Sequence, residues 1–183
     1  MVSLASVGAR FEIPLRVIEG GTGEVRGVLS EAEQTSQPSY VFVQPRHVFR
    51  VRLPCALRSG MVVRSPLGET YIVGDNGPSE NAKGALWQSY RLFEATGRYI
   101  WSRRTRITDP ITKTEREGPI QPIGLIWAAL EVMDRTESDR EIRIDYTQSR
   151  FIAGVAVGRG DLIDNRSVSR VDRQLGLAIG VVT

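Results

Sequence analysis

Apolar and polar residues alternate along most of the chain, in short runs separated by clusters of Gly, Pro and Asn. An alternation with a period of two is typical of β-strands, because successive side chains point to opposite faces. Patterns with the helical period of about 3.6 are scarce. Turn signals recur about every ten residues, which is the spacing found in β-sandwiches and β-barrels. The sequence therefore predicts an all-β fold made of small antiparallel barrel or sandwich modules.

Two stretches in the first half predict hairpins. Residues 11–18 and 24–29 flank the glycine-rich turn EGGTG, whose glycines can adopt the positive φ angles of a tight turn. Residues 61–64 and 70–73 flank SPLG, with Pro and Gly at the positions that turns favour.

A third predicted hairpin joins residues 87–95 to residues 99–107 through Thr96 and Gly97. Aromatic side chains on both strands suggest cross-strand contacts. We expect this ribbon to protrude from its domain.

A hairpin pattern occurs twice, about a hundred residues apart. SGMVVRSPLGETYIVGDNG spans residues 59–77, and GRGDLIDNRSVSRVDRQLG spans residues 158–176. Each stretch follows a predicted strand and precedes another. The simplest explanation is two copies of a small β-barrel module, the first enlarged by loops.

The segment TDPITKTEREGPIQP, residues 108–122, has three prolines and few apolar residues, which indicates a linker or an extended arm. The predicted organisation is an N-terminal β-domain at 1–107, this linker or arm at 108–122, and a C-terminal barrel of about five strands at 123–183.

Composition limits the function. The chain has 183 residues, a formal charge of +3, one cysteine and one histidine. Cys55 alone allows neither an intrachain disulfide nor a thiolate metal cluster, and His47 alone supports neither a catalytic triad nor a histidine-rich metal centre. The longest apolar run, 123–130, is too short to span a bilayer, and the first residues do not resemble a signal peptide. We expect no enzyme activity, no cofactor, no metal, no membrane partner, and synthesis in the cytoplasm.

Acidic clusters and one arginine-rich strand are the candidate sites among the charged residues. Carboxylates cluster at 134–141 (Asp134, Glu137, Asp139, Glu141) and at Asp161 and Asp164, and we interpret both clusters as solvated charged loops or intersubunit salt-bridge surfaces. Arg103, Arg104 and Arg106 alternate with aromatic residues in YIWSRRTRIT. We favour a strand whose charged face blocks edge-to-edge aggregation, with sequence-independent contact to phosphates as the alternative.

The C-terminal stretch LIWAALEVMDRTESDREIRIDYTQSRFIAGVAVGRGDLIDNRSVSRVDRQLGLAIGVVT, residues 125–183, resembles the head-closure, or stopper and head-tail joining, proteins of tailed bacteriophages. The resemblance consists of a first strand with Trp127 and Ala128, a charged connection at 134–141, and a long strand that ends in the hairpin Gly160-Asp161-Leu162-Ile163. A strand with Val168 and Val171 follows. The chain is about twice as long as a minimal member of that family.

The resemblance implies a structural virion protein at the head-tail junction, in a homo-oligomeric ring with six-fold or twelve-fold symmetry. Its implied partners are the portal or adaptor protein, the tail terminator or tail tube protein, and packaged DNA bound without sequence specificity. In this interpretation Arg103, Arg104 and Arg106, or the arm at 108–122, reach a neighbouring subunit or the channel. Two alternatives remain open: a ring component of the tail or baseplate, and an OB-like barrel that binds oligonucleotides on a face joining Trp87, Tyr99 or Trp101 to the arginines.

Overall fold

The computed structural model describes residues 12–32, 45–78, 87–139 and 142–183. These residues form twelve β-strands and no helix. The strands make two closed antiparallel barrels of six strands each, one after the other along the chain. The prediction of an all-β chain with two small barrel modules is confirmed.

The first barrel is formed by the strands before Ala95. Alternation sets its core: Leu15 and Val17 of the first strand and Phe49 and Val51 of the third point inward and are buried. Its strands are β1 (Glu12–Glu19), β2 (Glu24–Glu31), β3 (His47–Arg52), β4 (Val62–Arg64), β5 (Thr70–Pro78) and β6 (Trp87–Glu94).

The second barrel is formed by the strands after Thr96. Its core contains Tyr99, Trp101, Ile126, Phe151 and Val168. Its strands are β7 (Gly97–Thr108), β8 (Glu115–Asp139), β9 (Ile142–Ala153), β10 (Asp161–Ile163), β11 (Arg166–Gln174) and β12 (Leu177–Val182).

The two barrels have the same connectivity. Neighbouring strands follow the order β1-β2-β3-β6-β5-β4 in the first barrel and β7-β8-β9-β12-β11-β10 in the second. The turns that lead into β4 and β10 also match, because Gly60 and Gly160 have φ angles of 87° and 84° and bonds join Met61 N to Arg58 O and Asp161 N to Gly158 O. The module is therefore duplicated, as the repeated hairpin pattern predicted.

The strand registers align the two cores residue by residue. Leu29 pairs with Phe49 in the first barrel, just as Leu130 pairs with Phe151 in the second. Corresponding core positions include Leu15 and Tyr99, Val17 and Trp101, Phe49 and Phe151, Val63 and Ile163, and Leu92 and Val182. Side-chain volume gained at one core position is offset at another. The second barrel has Trp101 where the first has Val17, and Gly180 where the first has Tyr90.

The barrels share an apolar interface. Ile72 and Phe93 on the outside of the first barrel pack with Ile152, Leu177 and Ile179 on the outside of the second. At its edge the backbones approach so closely that a Cβ on Gly60 would lie 2.8 Å from the carbonyl oxygen of Gly154. Glycine is required there because the opposing atom is backbone and cannot rotate away.

The structure divides the chain at a different point from the predicted boundary. β7, which falls within the predicted domain 1–107, lies in the second barrel and pairs with β8 and β10. Thr96 N donates to Ala128 O, so the chain enters the second barrel immediately after β6. The predicted hairpin between 87–95 and 99–107 is wrong, because alternation shows that a segment is a strand and does not specify its partner.

Residues 108–122 connect β7 to β8 and form the start of β8, and do not lie between two domains. Register shifts mark the β7–β8 ladder opposite Pro119 and Pro122. Proline lacks the N–H that a regular ladder needs and is tolerated at bulges. The prolines therefore interrupt the pairing without ending the strand.

Candidate docking surface

Two hairpins of the second barrel extend past its wall. β8 pairs with β7 from Glu115 to Ala128 and then with β9 from Ala128 to Asp139. The pairing of β7 with β10 ends at Arg103, and the pairing of β9 with β12 ends at Ser149. We call the residues beyond these points the β7–β8 arm (104–120) and the β8–β9 arm (132–139 and 142–148). The corresponding β1–β2 hairpin turns at residues 20–23.

The base of the β7–β8 arm is attached to the barrel by Asp161. Its carboxylate is only 3 % exposed and accepts hydrogen bonds from Arg103 Nε at 2.6 Å and Arg103 Nη2 at 2.9 Å. It also accepts from Trp101 Nε1 at 2.9 Å and from Gly158 N at 2.8 Å. The bidentate pair fixes the position where β7 leaves the barrel.

Burial would raise the pKa of Asp161, but the hydrogen bonds from Arg103, Gly158 and Trp101 outweigh it and hold that pKa below its ordinary value. The same pair raises the pKa of Arg103. The prediction of a solvated charged loop is wrong for Asp161, because the turn before β10 directs this side chain into the end of the barrel.

Asp164 has a separate role in the next turn. Asp164 and Asn165 have φ angles of 49° and 65°, as a two-residue hairpin turn requires. The Asp164 Oδ1 atom accepts from Ile100 N at 2.7 Å. Both carboxylates of this predicted cluster therefore bind β7. The side chains at 134–141 lie outside the described residues.

The three candidate arginines divide into two groups. Arg103 faces Asp161 and Trp101 at the mouth of the barrel, and its guanidinium lies 5.7 Å from the Trp101 ring centroid. Arg104 and Arg106 lie on the opposite face of the arm, paired with Glu117 and Glu115 at 3.1 Å each. The sequence pattern did not reveal these carboxylate partners, because they come from the segment interpreted as a linker or arm.

An apolar strip lies on the outside of the second barrel beside these pairs. Ile100 and Leu125 are directly paired and are 51 % and 50 % exposed, and Ile120, opposite Arg104, is 43 % exposed. Their neighbours Trp101 and Ile126 point into the core, so Ile100 and Leu125 point outward. The strip could not be predicted from the sequence, because the alternation does not show whether Tyr99 and Trp101 or Ile100 face the core.

Duplication provides an internal comparison for the strip. The residues of the first barrel that correspond to Ile100 and Leu125 are Arg16 and Glu24, which also pair directly. The same position is charged in one barrel and apolar in the other. Exposed apolar side chains grouped on one surface are typical of a protein contact.

The remaining residues singled out in the sequence occupy structural positions. His47 lies edge-on to Tyr71 with ring centroids 5.5 Å apart. Tyr71 donates to Glu69 at 2.8 Å, and this bond, together with that from Ser65, lowers the pKa of Glu69. Cys55 Sγ lies 3.2 Å from the hydroxyl of Tyr90.

The aromatic residues of the oligonucleotide alternative are dispersed. Tyr99 and Trp101 pack against the core of the second barrel, and Trp87 lies in the first barrel under the guanidinium of Arg52. Stacking of bases needs exposed ring faces beside unpaired cations. Of the three arginines, Arg103 lies beside the Trp101 ring and is paired with Asp161, whereas Arg104 and Arg106 lie on the opposite face of the arm.

A cleft of about 420 Å³ lies where the barrels meet, lined by Glu19, Arg58, Met61, Trp127 and Val155 among others. The Trp127 ring is flanked by Arg64 of the first barrel and Arg98 of the second, at 5.9 and 5.7 Å. The contact of Arg64 with Trp127 joins the two barrels. In the described part of the chain, no group of three or more His, Cys, Asp and Glu side chains is arranged to hold a metal ion.

No protein-family model, curated protein or solved structure matches the chain. Among the residues described, no helix has the length and hydropathy needed to cross a membrane.

Proposed function

We propose that this chain is a structural subunit of the neck of a tailed phage. In this role it forms a homo-oligomeric ring of six or twelve copies between the portal or adaptor and the tail, helps to retain DNA, and docks the tail. The family assignment rests on the resemblance of residues 125–183. The observation that supports a role in assembly is the pair of arms that β8 extends beyond the second barrel.

Arms of this kind suit ring contacts. An isolated two-stranded ribbon is only marginally stable in water, so a long protruding ribbon gains most when it lies against another surface. A head-to-tail contact between subunits closes into a ring when its rotation permits. We assign the β7–β8 arm to a neighbouring subunit in preference to DNA, because Arg104 and Arg106 are both paired with glutamates.

The polar side chains of two clusters bind neighbouring strands and turns, which favours a structural role over a catalytic one. Asp161 anchors β7, and Glu69 and Tyr71 bind each other at one end of the first barrel. A tail or baseplate ring would share these features, so partner identity separates the two positions in the virion.

The experiment is a mass measurement of the purified 20.3 kDa chain by light scattering, combined with electron microscopy of the particles. The expected particle is a ring of about 120 or 240 kDa with a central channel. A chain whose residues 105–118 are replaced by Gly-Gly-Thr-Gly, the turn of residues 20–23, should fold and fail to form the ring.

Adding purified portal protein tests whether a partner is needed for closure. A chain that stays monomeric both alone and with portal, or a shortened-arm variant that still forms the ring, would contradict the proposal.

A further inference from the structure

The outer face of the β7–β8 hairpin combines the apolar strip with an ordered set of charges. Ile100, Leu125 and Ile120 lie nearer the barrel. Arg104 and Arg106 on β7, and Glu117 and Glu115 on β8, lie toward the tip. We refer to these seven residues as the outer face.

Alternation along β7, together with the pairing of β8 to it, places all seven side chains on one side of the ribbon. Arg103 and Trp101 point toward Asp161, so Ile100, Arg104 and Arg106 on the same strand point away from it. Arg106 is directly opposite Glu117, and Arg104 is directly opposite Ile120. The register shifts in β8 do not separate the ion pairs, whose N–O distances are 3.1 Å.

The charges on the outer face are segregated by strand. The β7 side carries the two arginines, and the β8 side carries the two glutamates one register step nearer the tip, so that Arg106 and Glu117 share one height. A rotation of 180° about an axis parallel to the strands exchanges the two sides while keeping each height. Two outer faces related in this way place Arg106 of one copy opposite Glu117 of the other, twice in each pair, and Ile100 of one copy opposite Leu125 of the other.

We propose that the outer face is an isologous contact: it docks against the same face of a second copy of this chain about a two-fold axis parallel to β7 and β8. Apolar contact at the strip drives the association, and the two charge columns select the orientation. The contact buries three apolar side chains that the single chain leaves about half exposed.

This inference goes beyond the proposed neck function. A ring needs a head-to-tail contact, whereas the outer face pairs two chains symmetrically. A two-fold pair can therefore form if the ring does not, and a ring can close if this pair does not.

The first barrel shows which side chains the fold accepts at the two paired positions of the strip, and the test variant uses those side chains. I100R/L125E introduces the Arg and Glu pair that the first barrel carries at the same two positions. Leu67→Glu is the matched control, since Leu67 is an exposed apolar residue in the β4–β5 turn, remote in sequence from the outer face. The readout is the dissociation constant of the pair, from sedimentation velocity over a concentration series.

The expected result is a dissociation constant raised at least about tenfold in I100R/L125E and unchanged in Leu67→Glu. Circular dichroism of both variants should match the parent, which shows that the barrels are intact. Equal association of I100R/L125E and the parent, or a parent that does not associate at all, overturns the proposal. If I100R/L125E does not fold, the charge experiment decides the question.

The charge experiment tests the orientation of the axis. In R104E/R106E/E115R/E117R both ion pairs are reversed, so the folded chain keeps its internal pairing and its self-complementarity. Differently labelled parent and reversed chains are mixed and the mixed pairs are counted. The two-fold axis proposed here predicts that each chain pairs with its own kind, because mixed pairs place Arg opposite Arg and Glu opposite Glu. Mixed pairs at the statistical proportion or above it contradict the proposed contact.

Discussion

Removal of the Asp161 carboxylate should destabilise the second barrel more than the loss of any exposed ion pair. Asp161→Ala removes the acceptor for four hydrogen bonds, two from Arg103 and one each from Trp101 Nε1 and Gly158 N. The Arg103 side chain is 53 % exposed, so it can turn to water and its loss contributes little.

Trp101 Nε1 and Gly158 N are partly buried and lose their partner. A buried donor left without a partner costs about 1–3 kcal/mol. We therefore expect a loss of about 3 kcal/mol in the free energy of unfolding, or about 6–12 °C in Tm for a chain of this length.

Thermal and urea unfolding, followed by circular dichroism and tryptophan fluorescence, measure this loss. The control is Asp172→Ala, which removes an exposed pair with Arg170 and should change stability by no more than about 0.5 kcal/mol. Asp161→Asn should fall between the two, because its amide oxygen still accepts a bond. Equal losses of stability in Asp161→Ala and Asp172→Ala would refute the anchoring role of Asp161.

Three further predictions concern the acid response and the packing. Because the pKa of Asp161 is lowered in the folded chain, the carboxylate contributes its full stabilisation above the unfolded value of about 3.9, and this is lost as the pH falls through the folded pKa. The free energy of unfolding should therefore fall less steeply with decreasing pH, below about pH 4, in Asp161→Asn than in the parent. Gly154→Ala should cost about 2 kcal/mol or more by urea unfolding, because its Cβ would overlap the carbonyl oxygen of Gly60. Tyr90→Phe should cost about 1–2 kcal/mol by thermal unfolding, because it leaves the Leu57 carbonyl oxygen, 2.7 Å from the hydroxyl, without that donor.

Each of these predictions has a control. Equal acid slopes for Asp161→Asn and the parent would show that this carboxylate does not titrate with unfolding. Gly124→Ala is the control for Gly154→Ala, because a Cβ at Gly124 meets nothing within 4 Å; equal effects would remove the argument from close approach. Tyr99→Phe loses only an exposed bond to Thr96 and should cost less than Tyr90→Phe, and the reverse order would contradict the account.

The all-β class and the duplication were predictable because both depend on local patterns. Alternating residues specify strands, and the repeated Gly residues at 60 and 160 specify matching turns with positive φ. The partners of β6 and β7 were not predictable in the same way. Both segments alternate and both carry aromatic residues, so the sequence alone did not show that the chain changes barrel at Thr96.

The candidate site was predictable in part. Residues 99–107 were predicted to form a protruding ribbon with residues 87–95. In the structure β7 forms its ribbon with residues 115–128. The prolines of that segment suggested a linker or arm, and only the bulged register shows how Pro119 and Pro122 fit into a strand. The burial of Asp161 was not visible either, because a carboxylate in a charged turn usually faces water.

The most direct test of the central claim is affinity capture of the tagged chain from phage-producing cells, with the bound proteins identified by mass spectrometry. The account predicts that portal or adaptor protein and tail terminator or tail tube protein are captured together, and that the shortened-arm variant captures fewer of them. Capture of baseplate or fibre proteins in their place would move the chain to the distal tail. Capture of nucleic acid or metabolic enzymes alone would contradict the proposed neck function.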